Sequence, residues 1–195
     1  MLAATADMLM AEPASLDSER TPTNEALLVN AARQGDRAAF AQLHDAYARM
    51  VHGIVLARAP FNEAHDLVQD VFLEAMRKLH TLRDSNAFGP WIAAIARNFA
   101  SGQYRRRRGV QALSNESAIA VPSAHEAGNE EAARILDIIR SLPESYGETL
   151  VLRLVEGLTG PQIAACTGLT PGSVRVNLHR GMQLLRQRLG LEEST

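Results

Sequence analysis

Residues 159–180 read TGPQIAACTGLTPGSVRVNLHR, and each boundary in that stretch has a local physical cause. Thr159 and Gln162 have the Thr-x-x-Gln spacing of a capping box, and Pro161 falls where a missing N–H costs nothing. The spacing predicts a helix that starts near Gly160 and stops at Gly168, a residue free to take the left-handed conformation of a C-cap. Thr170 and Pro171 repeat the N-cap and first-turn proline signal. Two capped helices joined by a three-residue turn have the layout of a helix-turn-helix, whose second helix enters the major groove of DNA.

At a hundred degrees per residue, Val174, Leu178, Gly181, Met182, Leu185 and Leu189 share one side of the second helix and are expected in the core. Ser173, Val176, His179 and Arg180 lie opposite, flanked by Arg175 and Asn177. From Pro171 to Gly190 the charged residues are Arg175, Arg180, Arg186 and Arg188, with no acid among them. Such a face can approach phosphates while its first turns meet base edges. The same pattern also fits an amphipathic packing helix with solvated arginines.

The chain has 195 residues, 46% hydrophobic and 22% charged, the composition of a globular protein of one domain or two small ones. A single cysteine, Cys166, excludes a disulfide framework and a multi-cysteine metal site, and reads as a small core residue. The six histidines show no metal-ligand spacing, and neither a glycine-rich phosphate loop nor a nucleophile motif is present. No enzyme, metal or cofactor is expected. The opening MLAATADMLMA lacks a basic flank, and no apolar run reaches a membrane span, so the expected location is the cytoplasm, without membrane insertion. A net charge of −2 argues against indiscriminate coating of nucleic acid. The charge is nevertheless sorted: Arg97 and Arg105 to Arg108 stand in a stretch without acids, and Glu63, Asp66, Asp70 and Glu74 in a stretch without bases. Separate surfaces for separate partners follow.

Residues 1–24 have no periodicity and read as a disordered tail. Helical periodicity begins near Glu25. Asp36 is the expected N-cap of a helix with Phe40, Leu43, Tyr47, Val51 and Ile54 inward, ending at Pro60. Asn62 is the expected cap of the next helix, which buries Leu67, Val68, Val71, Phe72, Ala75 and Leu79. After a loop from Thr81 to Gly89, Pro90 opens a helix with Trp91, Ile92, Ile95 and Phe99 inward and an arginine-rich end. Residues 109–130 read as a flexible linker. Beyond it, Ile135, Ile138, Ile139 and Leu142 form one stripe, broken by Pro143, and Tyr146, Leu150, Leu154 and Val155 the next, closed by Gly157. With no period-two runs, the expectation is an all-α chain of two small helical domains, 25–108 and 131–190, the second a four-helix domain carrying the helix-turn-helix.

Two further surfaces stand out. Asp66, Asp70 and Glu74 follow one another at i, i+4, where like charges repel by about a few tenths of a kcal/mol per pair. This ridge favours a protein-docking face over a solvated one. The helix from Trp91 exposes Asn98 and ends in Arg105, Arg106, Arg107 and Arg108, more cations than its dipole calls for, which favours phosphate contact. Phe88 and Trp91, with Arg83, Asp84, Ser85 and Asn86 before them, have the chemistry to hold an unstacked base.

Taken in order, AHDLVQDVFLEAMRKL, FGPWIAAIARNFASGQYRRRR and SLPESYGETLVLRLVEGLTGPQIAACTGLTPGSVRVNLHRGMQLLRQRL resemble an extracytoplasmic-function sigma factor, over about residues 25–190. The resemblance implies a region 2 at 25–108 that docks on RNA polymerase's largest subunit around Asp66, Gln69, Asp70, Phe72 and Glu74. It further implies that Ser85, Asn86, Phe88, Trp91, Asn98 and Arg105 to Arg108 read an opened minus-10 strand. A region 4 at 131–190 would read the minus-35 duplex through Ser173, Arg175, Val176, Asn177, His179 and Arg180. The implied partners are core RNA polymerase, promoter DNA and an anti-sigma factor. Gly102 stands where the family usually has Asp, and Val176 and Asn177 where Ser and Arg are frequent, so promoter preference does not carry over. The tail exceeds that of most relatives, and Met8 or Met10 is an alternative start.

The resulting expectation is a promoter-specificity subunit that catalyses nothing itself. One rival is a stand-alone helix-turn-helix regulator that binds operator DNA as a dimer, and another is a mimic that sequesters a sigma factor's inhibitor. Neither needs both an acidic docking ridge and a basic helix suited to single strands.

Overall fold

The computed structural model describes residues 23–113 and 127–190, with side chains except at 103–113 and 127–130. The side chains of Arg105 to Arg108, nearly all of the expected tail and much of the expected linker lie outside the described residues. Eight α-helices and no strand occur among the described residues: α1 (Asn24–Arg33), α2 (Arg37–Leu56), α3 (Phe61–Lys78), α4 (Phe88–Leu113), α5 (Ala127–Arg140), α6 (Glu144–Leu154), α7 (Gly160–Thr167) and α8 (Pro171–Leu189).

In the N-terminal half, Thr23 caps α1 through the amide of Ala26, and Asp36 caps α2 through those of Ala38 and Ala39. The stripe of α3 is buried as expected, with Leu79 continuing it in a 3-10 turn. Asn62 is not its cap. The extended backbone of Pro60 (φ −59°, ψ 149°) delivers the chain directly into α3, which places Asn62 inside the helix. The expected loop before α4 contains two 3-10 turns, 79–81 and 85–87, the second capped by Asp84 on the amide of Asn86. α4 starts at Phe88 rather than at Pro90. Glu25 of α1 explains the shift: its carboxylate accepts the Phe88 N–H at 3.2 Å, satisfying a first-turn donor, and also accepts the Tyr47 hydroxyl. α4 also runs through Gly109 to Leu113, into the expected linker.

The inner face of α4 is rotated from the expected one. Phe88, Ile92, Ala93, Ala96 and Ala100 are buried, whereas Trp91, Ile95 and Phe99 are half-buried. Three alanines let α4 lie close to α2 and α3.

In the C-terminal half, α5, α7 and α8 surround α6. The expected α6 stripe included Leu154 and Val155, but these are 51% and 50% exposed. Their burial is replaced by Glu148, Thr149, Leu150, Val151 and Leu152, consecutive residues that can all be buried only in a helix covered on several sides. The second cover is the other half of the chain, for α6 packs on α2 and α7 packs on α4. Leu136, absent from the expected α5 stripe, is buried as well.

Gly102 lies inside α4, away from the left-handed region, and a Cβ there would meet nothing within 4 Å. Gly102→Ala is expected to raise stability by about 1 kcal/mol through helix propensity, or Tm by about 2 to 4 °C for a chain of this length. A calorimetric scan checks it, and a lower Tm would contradict the open, helical environment.

Candidate DNA and polymerase interfaces

The helix-turn-helix holds its own shape. Thr159 Oγ1 accepts the Gln162 amide at 3.4 Å while Gln162 Oε1 accepts the Thr159 amide at 2.8 Å, completing the capping box. Gly168, at φ 76°, ends α7 in the left-handed conformation, and Thr170 Oγ1 accepts the Ser173 amide at 3.1 Å to start α8. Val174, Gly181 and Leu185 are buried, with Leu178, Met182 and Leu189 half-buried beside them. Ser173, Arg175, Val176, His179 and Arg180 are exposed on the other side. Asn177 differs: it is half-buried, and its side-chain amide donates toward Ser145 O and Thr149 Oγ1 of α6 at 3.5 and 3.4 Å. It helps seat α8 and does not join the outward face.

At the start of α4 the structure corrects one site residue. Phe88, expected as a wall for an unstacked base, is 0% exposed and packs between Tyr47 and Trp91, ring centroids 5.3 and 5.7 Å away. Being the first residue of the helix and facing the core, it supports Trp91 from beneath. Ser85 and Asn86 lie along α1: Ser85 Oγ donates to Asn30 Oδ1 at 2.9 Å, and Asn86 Oδ1 accepts from Thr23 Oγ1 at 2.7 Å. Arg33 fastens the same loop by donating to the carbonyls of Leu79 and Leu82. Asn98 is exposed, ten residues after Phe88.

On α3, Asp66, Gln69 and Asp70 are exposed, and Gln69 Nε2 lies 2.9 Å from His65 Nε2. Glu74 is half-buried, and the Lys78 hydrogen bond at 2.8 Å holds its carboxyl below the usual range. Phe72, expected on the docking face, is buried against Phe40 in an edge-to-face pair, centroids 6.5 Å apart, and against His44. It belongs to the apolar stripe on which α3 rests. Leu73 and Met76, two apolar residues off that stripe, are exposed beside the acids.

The seam between the halves was invisible in the sequence. Glu148 of α6, 5% exposed, receives Arg97 Nη2 at 2.7 Å and Arg97 Nε at 3.0 Å from α4, and Arg58 Nη2 at 2.7 Å from just beyond α2. Burial pushes the Glu148 carboxyl up, but the Arg97 hydrogen bond and the two guanidinium charges outweigh it and hold it below the usual carboxylate range. Arg58 also meets Glu144 at 2.6 Å, and Arg140 of α5 donates to Leu56 O at 3.0 Å. A second cluster joins Glu156, after α6, to His52 Nδ1 at 2.6 Å and to Arg49, which donates to the Glu156 carbonyl. Between the clusters, Gly53 lets α2 approach closely: a Cβ there would stand 2.8 Å from both Leu152 Cδ2 and Glu156 Cγ. Beside the seam, burial pushes the Cys166 thiol up to about 11, so it remains protonated at neutral pH.

Comparison with known proteins agrees with this organisation. The Sigma-70 region 2 family matches residues 43–110, and the Sigma-70, region 4 family matches residues 132–185. The RNA polymerase sigma factor CarQ of Myxococcus xanthus is 33% identical over 163 residues, which cover 81% of this chain and 93% of that protein. The ECF RNA polymerase sigma-E factor of Haemophilus influenzae is 27% identical over 176 residues, covering 83% and 93%. Among solved structures, CnrH in complex with the cytosolic domain of CnrY superposes with a TM-score of 0.61 at 23% identity, over 87% of this chain and 99% of that one, a likeness of fold. This chain belongs to the sigma-70 family of RNA polymerase sigma factors, in its extracytoplasmic-function group. It is a factor that directs transcription initiation at promoters, and the stand-alone regulator is set aside.

His52 generates a pH prediction. The hydrogen bond that its ring donates to Glu156 raises its pKa, against the smaller effect of burial, with Arg49 the other charged group facing the pair. A raised folded-state value means the imidazolium's contribution is fully present below the ordinary histidine value of about 6.5 and is lost as pH rises through the folded value. Titration of the His52 ring signals by NMR should show the upward shift, which Glu156→Gln should abolish. An unshifted His52 in the unmodified chain would contradict the contact.

Proposed function

We propose that the two halves divide the sigma factor's work. In residues 25–108, Asp66, Gln69, Asp70 and Glu74, with Leu73 and Met76 beside them, dock on core RNA polymerase. Asn98, Trp91 and the loop at Ser85 and Asn86 hold the opened minus-10 strand, with Arg105 to Arg108 toward phosphates. In residues 131–190, Ser173, Arg175, Val176, His179 and Arg180 meet the minus-35 duplex. The observation that supports this assignment best is the exposure of the acid-free α8 face on a rigidly capped corner, within a chain that matches both sigma-70 regions in order.

The protein works in the cytoplasm as a specificity subunit without a reaction of its own, on a stress or signal regulon. No helix among the described residues is long and apolar enough to cross a membrane. CnrH was solved with the cytosolic domain of CnrY, and the sigma factor RpoE of Bartonella quintana with the anti-sigma factor NepR. A partner of that kind for this chain is part of the proposal.

Run-off transcription on genomic fragments, with and without core polymerase, tests the reading. Transcripts should appear only when both are present, and the free protein should not shift promoter duplex in a gel. Specific, tight shifts by the free protein would contradict it. Arg175→Ala and Arg180→Ala should each reduce use of the upstream element, by about 1 to 3 kcal/mol of discrimination where the arginine contacts a base and uniformly across sequences where it contacts phosphate. The Asp66→Lys, Asp70→Lys double variant should keep its circular dichroism melt, since both acids face outward and charge reversal relieves like-charge repulsion. Its affinity for core should fall by several kcal/mol, the cost of like charges brought together at an interface. A folded variant with undiminished core binding would remove α3 from that interface.

A further inference from the structure

Among the described residues, α8 presents one large apolar side chain to solvent: Val176, 45% exposed. A single exposed valine is ordinary on a protein surface. This one stands in the middle of the face assigned to DNA, sixth in the helix and one turn from each of Ser173, His179 and Arg180. Its rotamer is set by its backbone, since a β-branched side chain in a helix has one strongly preferred χ1. Two methyl groups are thus held out from α8 with little left to order on contact.

The polar side chains beside Val176 are partly committed elsewhere. The Ser173 hydroxyl lies 2.8 Å from Thr170 Oγ1, within the N-cap of the helix, and the Asn177 amide is turned toward Ser145 O and Thr149 Oγ1 of α6. Arg175 and Arg180 are exposed, and among the described residues neither is held by an acid. Those two suit phosphates and guanine edges. What stands between them is a side chain with no donor and no acceptor. In the major groove a base pair shows donors, acceptors and, on thymine alone, a 5-methyl group. Valine pressed against a polar edge would leave that edge unpaired at a cost, so its match is the methyl.

We propose that Val176 contacts the 5-methyl group of one thymine in the minus-35 duplex and so sets the preference at that base pair. The inference deepens the assignment of α8 to minus-35 DNA and rests on it. Contact removes the thymine methyl and the valine methyls from water together. Loss of the thymine methyl alone should weaken binding about three- to fivefold, the amount expected for one buried methyl-sized group.

The test uses holoenzyme assembled from the full chain and core polymerase, on a promoter duplex recovered by run-off transcription from genomic fragments. Each thymine of the upstream element, on both strands, is replaced in turn by uracil, which lacks the methyl and keeps the hydrogen-bonding edge. Uracil at one position should lower binding about three- to fivefold, and 5-methylcytosine there should bind better than cytosine. Val176→Ala, shorter by two carbons, should lose both effects while retaining its circular dichroism melt and the penalties for changes elsewhere in the element. If scrambling the element abolishes binding but no thymine is sensitive to uracil, the methyl contact is overturned and α8 stays on the minus-35 duplex. A uracil effect of the same size in Val176→Ala also overturns it. If the element can be scrambled without effect on holoenzyme binding, the placement of α8 on DNA is refuted, and the methyl contact with it.

Discussion

A buried carboxylate between two guanidiniums governs how this chain is put together. Removing Glu148 from water is costly, and the charge is tolerable only because Arg58, from the turn after α2, and Arg97, from α4, meet both its oxygens. Taking away one partner of such a buried pair typically costs about 3–5 kcal/mol, because the other charge stays desolvated. The surrounding packing obeys this requirement. α6 has to be enclosed on more than one side, which places Leu150, Val151 and Leu152 in the interior. α2 has to be smooth where it passes, which explains Gly53.

Acids elsewhere in the same chain meet the opposite fate, and the contrast separates structural from interacting charge. Asp66 and Asp70 face water from a helix whose other side is fully apolar. Glu74 is shared with Arg77 and Lys78 and so is partly neutralised within its own helix. Only the first two combine exposure with neighbouring exposed hydrophobics, Leu73 and Met76, a pairing that suits a protein partner better than solvent.

Whatever depends on neighbours three or four residues away could be read from the amino-acid sequence. The caps at Asp36, Thr159 and Thr170, the stop at Gly168, the buried stripe of α3 and the outward face of α8 are all of that kind. The order of the helices and the family resemblance followed from them. What failed depended on distant partners. Glu25 sets the start of α4 from 63 residues away, so Pro90 was a misleading boundary and Phe88 a misleading surface residue. Arg58 and Glu148 are 90 residues apart, and nothing in helical periodicity reveals that α6 has a second covered side, which is why Leu154 and Val155 were placed inward. Phe72 was misplaced for another reason: a motif shared with relatives marks a segment, and within the segment only the direction of each side chain separates a contact from its support.

The bonds that cap the helices of the helix-turn-helix are internal to it. Thr159 with Gln162 closes one end of α7, Gly168 closes the other, and Thr170 opens α8, none of them borrowing a group from α2 or α4. With Gly168 ending α7 and Thr170 starting α8 only two residues later, the turn leaves the chain little freedom between the two helices, so part of the entropy of arranging them is already spent during folding.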